Sequence, residues 1–251
     1  MQNDPLSTVV EQAWAAATDP PKPIDAGALS VDEAQTAQVR LLERWQAQGE
    51  TIVGWKLGLT SGRSRDAFGP GIRPFGFILG SRLHASGDHI QTARIGRGVV
   101  ENEVCFRIGR DLDGHTTREA ALDAVDGVAP AFEVNQRRIP DGSAPAARVA
   151  DNLSNWGLVV GDFLPKAPEL DQLIVTLTHD GTEVDSVSTE GHIDDHFESI
   201  ARLARRLAQY GLALSKGDYV ITGAFTRARL EPGRFTGTFS PELGSVSVNV
   251  R

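Results

Sequence analysis

The run GVVENEVCFRIG (98–109) constrains this chain more than any other stretch. Its period-two alternation reads as a β-strand, in which residues i and i+2 share a face about 6.5–7 Å apart at Cα. Glu101 and Glu103 therefore point one way. Val100, Asn102, Val104, Phe106 and Ile108 point the other way, and that face is mostly apolar. Two carboxylates buried side by side raise each other's pKa unless a cation sits between them. The fold must either leave the acidic face in water or supply a counter-charge. A hard divalent cation such as Mg²⁺ resolves the conflict. It takes carboxylate oxygens at about 2.0–2.1 Å and keeps positions open for water or substrate.

Two further charges sit in apolar runs. PAFEVNQRR (130–138) places Glu133 between Phe132 and Val134, and acids are almost never fully buried unless paired. Glu-x-Glu alone is compatible with a solvated strand face. Three acids in such settings point to an oxygen-donor metal site. TIVGWKLGLT (51–60) surrounds Lys56 with Ile52, Val53, Trp55, Leu57 and Leu59. A lysine in apolar surroundings has a lowered pKa and can act as a general acid or base. The alternative is a lysine at a strand end that lays its stem on apolar surface and keeps its ammonium in water.

Around these residues the pattern predicts a small helical N-terminal region (1–50) and a strand-rich body (51–251). Helices are expected at 6–17 and 30–49, separated by a Pro-rich break at 19–25. The second opens on Ser30 and Glu33 in capping-box spacing and stops at Gly49. Strands are expected at 51–60, 98–109, 130–138, 156–163, 219–225, 234–239 and 245–250. A hairpin at 173–189 turns on Asp180-Gly181. Shorter helices fall at 117–128 and 195–211. The Gly/Arg/Pro-rich stretch 61–77 is long enough to be an active-site lid. A regular βαβα alternation is absent, which argues against a doubly wound parallel sheet.

Composition narrows the function classes. The net charge is −8 and Lys/Arg runs are absent, so a nucleic-acid surface is not expected. Lysine occurs only at Lys22, Lys56, Lys166 and Lys216. Apolar runs fall short of the ~20 residues that span a bilayer, and MQNDPLSTVV lacks the features of a signal peptide. The one cysteine, Cys105, excludes an intramolecular disulfide and a thiolate-rich metal site. A cytoplasmic globular protein is the simplest expectation.

The set GWKLGLTS (54–61), ENEVCF (101–106), PAFEVNQRR (130–138), VADNLSNW (149–156), GDYVITGAF (217–225) and LGSVSV (243–248) resembles the 2-keto-4-pentenoate hydratase / 4-oxalocrotonate decarboxylase family. That family belongs to the fumarylacetoacetate hydrolase superfamily. The order and spacing of the motifs make the resemblance specific from about residue 50 to 250. It implies an α+β fold, a mixed β-roll with flanking helices. It implies Mg²⁺ or Mn²⁺ held by Glu101, Glu103 and Glu133, with Lys56 as the family's lysine. Thr60, Ser154, Thr222 and Gly223 fall in substrate-binding elements, and Asp151 and Asn152 in a motif that supports or contacts them. Two departures stand out. Pro74 replaces the acid that family hydratases carry in the lid, where Asp66 is near but not aligned. The helix at 195 opens His196-Phe197 rather than His-Pro.

The resemblance implies a lyase of aromatic meta-cleavage catabolism. A 2-hydroxy-2,4-dienoate, or its 2-oxo tautomer, would chelate the metal through its carboxylate and C2 oxygen. Water would then add at C4, with Lys56 moving protons. Decarboxylation of a 2-oxo dioic acid such as 4-oxalocrotonate is the runner-up, and the absent lid acid leans toward it. Arg63, Arg65, Arg73, Arg137 or Arg138 could then meet the distal carboxylate, or could lie on the surface. A catalytically silent partner subunit is the alternative of another class. The resemblance also implies a homo-oligomer and possible association with a pathway aldolase or decarboxylase.

Overall fold

The computed structural model describes residues 4–18, 29–62, 65–140, 143–240 and 242–251. Two helices open it, α1 (Pro5–Thr18) and α2 (Val31–Ala47). The Ser30 hydroxyl accepts from the Glu33 N–H at 3.3 Å, while the Glu33 carboxylate accepts from the Ser30 N–H at 2.8 Å. The expected capping box is therefore present. The expected stripe is buried at Ala34, Ala37, Leu41 and Leu42. Residues 19–25, the expected break, lie outside the described residues.

The body follows in chain order as β1 (Ile52–Leu57), β2 (Phe75–Leu79), β3 (Leu83–Ala85), β4 (His89–Ile90), β5 (Gly98–Ile108), α3 (Arg118–Ala124), β6 (Val125–Gln136), α4 (Pro145–Ala150) and β7 (Asn155–Val160). Then come β8 (Ile174–His179), β9 (Thr182–Ser188), α5 (His196–Ala208), β10 (Tyr219–Arg229), β11 (Gly233–Ser240) and β12 (Gly244–Val250). One seven-stranded sheet has the order β2-β1-β10-β5-β6-β7-β3, and a five-stranded sheet the order β4-β12-β11-β8-β9. Most pairs are antiparallel, while β1–β10, β3–β7 and β4–β12 are parallel. The first sheet curls until β2 approaches β7 from the far end of the strand order. This is the expected mixed β-roll with flanking helices.

Three expectations need correction. The lid stretch ends at residue 74, because 75–79 form β2 against β1. The helix expected at 117–128 stops at Ala124, and 125–128 join β6, since Val125 and Val128 pair with β5 rather than completing a helical stripe. The short strands β3 and β4 and helix α4 were not anticipated; each is too brief to show a period.

The two faces of β5 explain the rest. Val100, Val104, Phe106 and Ile108 join Phe132, Val175, Leu177, Phe235, Phe239, Val246 and Val248 in the core between the sheets. Asn102 is buried there too and donates to Thr226 Oγ1 at 2.8 Å. On the other face, Cys105, Ala129, Ala131, Leu158, Ile221 and Ile78 fill the inside of the curl at one end. The carboxylates occupy the other end. Gln35 and Gln38 of α2 and Asn152 bond the backbone of β2, so its outer edge does not stay unpaired. Among the described residues, no helix is long and apolar enough to cross a membrane.

Candidate active site

Strand pairing assembles the acids. Glu101 of β5 stands directly opposite Glu133 of β6, and Glu103 lies two residues further along the same face. Carboxylate oxygens of the three lie within 4.8 Å of one another. Glu103 and Glu133 are buried, and Glu101 is half-buried. Each carboxylate is held through one oxygen. Asn135 Nδ2 donates to Glu101 Oε2 at 2.8 Å, the Gly223 N–H to Glu103 Oε2 at 2.7 Å, and Asn155 Nδ2 to Glu133 Oε1 at 2.8 Å. Lys56 Nζ bonds that same Glu133 oxygen. This leaves Glu103 Oε1 and Glu133 Oε2 without a donor among the described residues, while Glu101 Oε1 is 3.6 Å from Arg227 Nε.

The electrostatics show what this costs. Burial, reinforced by Glu133, raises the Glu101 carboxyl above its ordinary value and Glu103 well above it. For Lys56, burial opposes the charged form, but Glu133, Glu103 and Glu101 together outweigh it and hold the pKa above the ordinary lysine value. The expected depressed lysine is thus corrected: the neighbourhood is apolar in sequence but acidic in space. One ammonium faces three carboxylates, so the site carries surplus negative charge. Three carboxylates, two of them with an oxygen that has no donor among the described residues, fit a divalent, oxygen-seeking cation in donor type, number and charge.

The elements around the acids are shaped to admit them. Gly76 pairs with Lys56 across β1 and β2, and a Cβ there would lie 2.8 Å from Lys56 Cγ. Asn152, Leu153 and Ser154 all adopt left-handed backbone, with φ of 52°, 52° and 66°. Such consecutive strain persists only where surroundings over-determine it. Here Asn152 clamps the Phe77 backbone through both its amide atoms. Asp151 Oδ2 accepts from Arg138 Nε at 3.2 Å, and its Oδ1 forms an ion pair with Arg138 Nη2 at 2.6 Å. Burial pushes Asp151 up to about 6, with Arg138 pulling the other way. Asp151 and Asn152 therefore act as supports for the turn that presents Ser154 and Asn155.

Lys56, Thr60, Glu101, Glu103, Glu133, Ser154 and Gly223 line one cleft. Thr222 does not line it. Its hydroxyl, fully buried, bonds His196 Nδ1 at 2.7 Å beneath α5. Gly223 lines the cleft but spends its N–H on Glu103.

Most of the arginines suggested for a distal carboxylate are engaged elsewhere. Arg73 bonds Asp194 and Asp66, both at 2.7 Å, and Arg65 bonds the Thr60 and His192 carbonyls at 3.0 Å. Arg138 is taken by Asp151, and Arg63 lies outside the described residues. Arg137 does line the cleft, joined by Arg148 and Arg227, which sequence reasoning missed. Strand parity could have added Asn135 and chosen Arg137 over Arg138: Glu133, Asn135 and Arg137 share a face, and Arg138 falls on the other. Nothing local marks Arg148 or Asn155. Asp66 is bound to Arg73 and the Gly71 N–H, and Pro74 gives its carbonyl to the Gly58 N–H. Among the described residues lining the cleft, the three glutamates are the only acids.

Comparison with known proteins agrees with this architecture. Residues 56–248 match the fumarylacetoacetate (FAA) hydrolase C-terminal family. The chain is 31% identical over 223 residues to a 4-oxalocrotonate decarboxylase from Pseudomonas sp, covering 88% of this chain and 87% of that one. It is 29% identical over 223 residues to a 2-keto-4-pentenoate hydratase from Paraburkholderia xenovorans, covering 87% and 83%. Its fold superposes on that of 4-oxalocrotonate decarboxylase from Pseudomonas putida G7, solved with magnesium and adipate. The TM-score is 0.90 at 23% identity, over 100% of this chain and 98% of that one. A family match across most of the chain, with a fold to suit it, places this protein in the fumarylacetoacetate hydrolase C-terminal family.

Proposed function

We propose that this protein is a metal-dependent lyase that adds water to a 2-hydroxy-2,4-dienoate and yields a 4-hydroxy-2-oxo acid. The observation that carries the reading is the convergence of Glu101, Glu103 and Glu133 within 4.8 Å, with Lys56 bonded to the third. The similarity to a hydratase and a decarboxylase supports a lyase of this kind. Glu101, Glu103 and Glu133 would hold a divalent ion, Mg²⁺ by preference. When bound, the ion supplies positive charge that stabilises an enolate of the 2-oxo acid.

The chain's own groups do the rest. Asn135, Asn155 and the Gly223 N–H fix the carboxylates so that no reorganisation is needed as charge develops. Lys56 holds a proton at Nζ on the cleft wall and delivers it to the substrate carbon chain, taking it back on turnover. Ser154 and Thr60 offer hydroxyls on the cleft wall to orient the acid. Catalysis by such a set makes a silent subunit the weaker reading. We also propose a cytoplasmic homo-oligomer, with a pathway aldolase or decarboxylase as candidate partner.

A second reading is favoured by a specific observation. Among the described residues, the cleft lining contains no acid besides the triad, and Pro74 stands where a water-activating acid is expected. Loss of CO₂ from a 2-oxo dioic acid needs the same enolate and no activated water. A proton NMR time course separates the two. Purified protein with Mg²⁺ is offered 2-hydroxypenta-2,4-dienoate and, separately, 2-hydroxymuconate with its oxo tautomer, each with an EDTA control. An EDTA-sensitive 4-hydroxy-2-oxo acid establishes hydration. EDTA-sensitive CO₂ loss establishes decarboxylation instead. No turnover of either compound removes both readings.

A further inference from the structure

We propose that His196 is a positioning residue for the metal site: acting through Thr222, it holds the part of β10 that aims the Gly223 N–H at Glu103. The inference rests on the metal-lyase reading and adds to it a side chain that does not line the cleft.

Strand β10 loses both of its neighbours at the same point. Its parallel pairing with β1 runs from Tyr219 to Ile221, opposite Gly54 to Lys56. Its antiparallel pairing with β5 matches Ile221 with Cys105 and resumes at Ala224, opposite Glu103. Three steps along β10 thus match two along β5, which is a β-bulge, a device that re-aims strand groups beside active sites. Thr222 and Gly223 fall in the gap, with no register partner in either neighbouring strand. Gly223 has a φ of 145°, and a Cβ there would stand 2.3 Å from Thr60 Oγ1, so the position suits glycine alone. A glycine outside both ladders has wide conformational freedom, yet its N–H meets Glu103 Oε2 at 2.7 Å. A group beyond the ladders must fix its path.

That group is His196. Its Nδ1 lies 2.7 Å from Thr222 Oγ1, and both side chains are buried, Thr222 completely. The ring is itself held in place. It packs against Phe106 and Phe225, with centroids 5.2 and 6.2 Å away. His196 opens α5, whose first turn is capped by Asp195, which accepts from the Glu198 N–H at 2.7 Å. Ile200, Leu203 and Leu207 seat that helix in the core. Just before it, the Asp194 N–H donates to the Thr60 carbonyl at 3.2 Å, so the same end of α5 also touches the residue packed against Gly223. A rigid helix end therefore reaches Glu103 through Thr222 and Gly223. Phe106 and Phe225 would pack an apolar ring equally well; the ring nitrogen adds the bond to the bulge. Without that bond the Gly223 N–H can swing away from Glu103, and the carboxylate is free to reorient. The loss then falls on ion affinity as well as on stability.

The test is isothermal titration of Mg²⁺ into the full chain, with denaturant unfolding of every variant alongside. A wild type that does not bind the ion overturns the metal reading, and this inference with it. Thr222→Val keeps the side-chain shape without its hydroxyl and should weaken Mg²⁺ binding about tenfold, while Thr222→Ser should restore most of the affinity. His196→Leu should weaken binding by a similar factor. The double variant His196→Leu/Thr222→Val should lose no more than the larger single loss, because both changes break one bond. Folded variants that bind Mg²⁺ with wild-type affinity, and differ only in unfolding free energy, would make His196 a packing residue; that result overturns the inference and leaves the metal site standing. Losses that multiply in the double variant overturn it too, since the two side chains would then act separately. If His196→Leu does not fold, the comparison of Thr222→Val with Thr222→Ser decides.

Discussion

Among the described residues, two cation–carboxylate pairs lie buried, Arg138–Asp151 and Lys56–Glu133, and both involve β6 or the residues just beyond it. In the first, one guanidinium meets one carboxylate at two points, and no other acid shares it. In the second, one ammonium stands among three carboxylates, two of which keep an oxygen without a donor among the described residues. The first pair is balanced in charge, which suits a brace for the strained turn at 152–154, although Arg138 Nη1 and Asp151 Oδ1 have no hydrogen-bond partner among the described residues. The second is unbalanced, and a buried surplus of charge persists only where a ligand completes it. The contrast teaches that burial of an ion pair does not by itself mark function; the leftover charge does.

The largest effects should come from the unbalanced site. Glu103→Gln and Glu133→Gln are expected to fold and to lose metal-dependent turnover by about 10³-fold, the scale of losing an electrostatic stabiliser. Mg²⁺ titration should show weakened binding in the same proteins. Wild-type rates in both would end the metal assignment. Lys56→Met should keep its ion and lose roughly 10²–10⁴-fold in kcat. A small effect there would move proton transfer to another group.

The balanced pair should respond in stability instead. Asp151→Asn leaves the Arg138 charge uncompensated and should cost about 3–5 kcal/mol in denaturant unfolding. If the cost is small while kcat collapses, the brace is part of the chemistry and the contrast fails.

His196 offers a third case, a buried ring bonded to Thr222 with no counter-charge on that bond. Burial lowers its pKa to about 4, against 6.5 for the free side chain. Between those values the folded state binds fewer protons than the unfolded one. Stability should therefore be full above pH 6.5 and fall as pH drops toward 4, by on the order of 3 kcal/mol from this group. His196→Gln should flatten that part of the pH–stability curve; an unchanged slope would mean the ring titrates freely. The smallest effect is expected from Asn155→Ala, which removes one of two donors on Glu133 Oε1. It should weaken Mg²⁺ binding about 10–100-fold with little change in unfolding free energy.

Much of the site was legible because strands write their faces into sequence with period two. Glu101 and Glu103 could be placed on one face from spacing alone and Glu133 within an apolar strand, and the same parity separates Arg137 from Arg138. The capping box at Ser30 and the Asp180-Gly181 turn, with φ of 49° and 80°, are local chemistry read directly from residue type. Other residues were not legible for equally physical reasons. Thr222 and Gly223 are adjacent, yet one faces His196 and the other Glu103, and only the path of β10 beside β5 decides which. The direction of the Lys56 pKa shift was not legible because its sequence neighbours are apolar, whereas its spatial neighbours arrive from β5 and β6.

The sequence by itself determined that three acids and one lysine would sit in strands, that α2 would be capped by Ser30, and that the body would be rich in short strands. These depend on interactions over a few residues, where periodicity and capping act. Only the tertiary structure decided that the acids would meet, that Asn155 and Asn135 would hold them, and that Arg137 and Arg148 would face the same cleft. Those outcomes depend on strand register and on the curl of the sheet, which bring together groups tens of residues apart. Electrostatic energy depends on such distances in space and not on order along the chain.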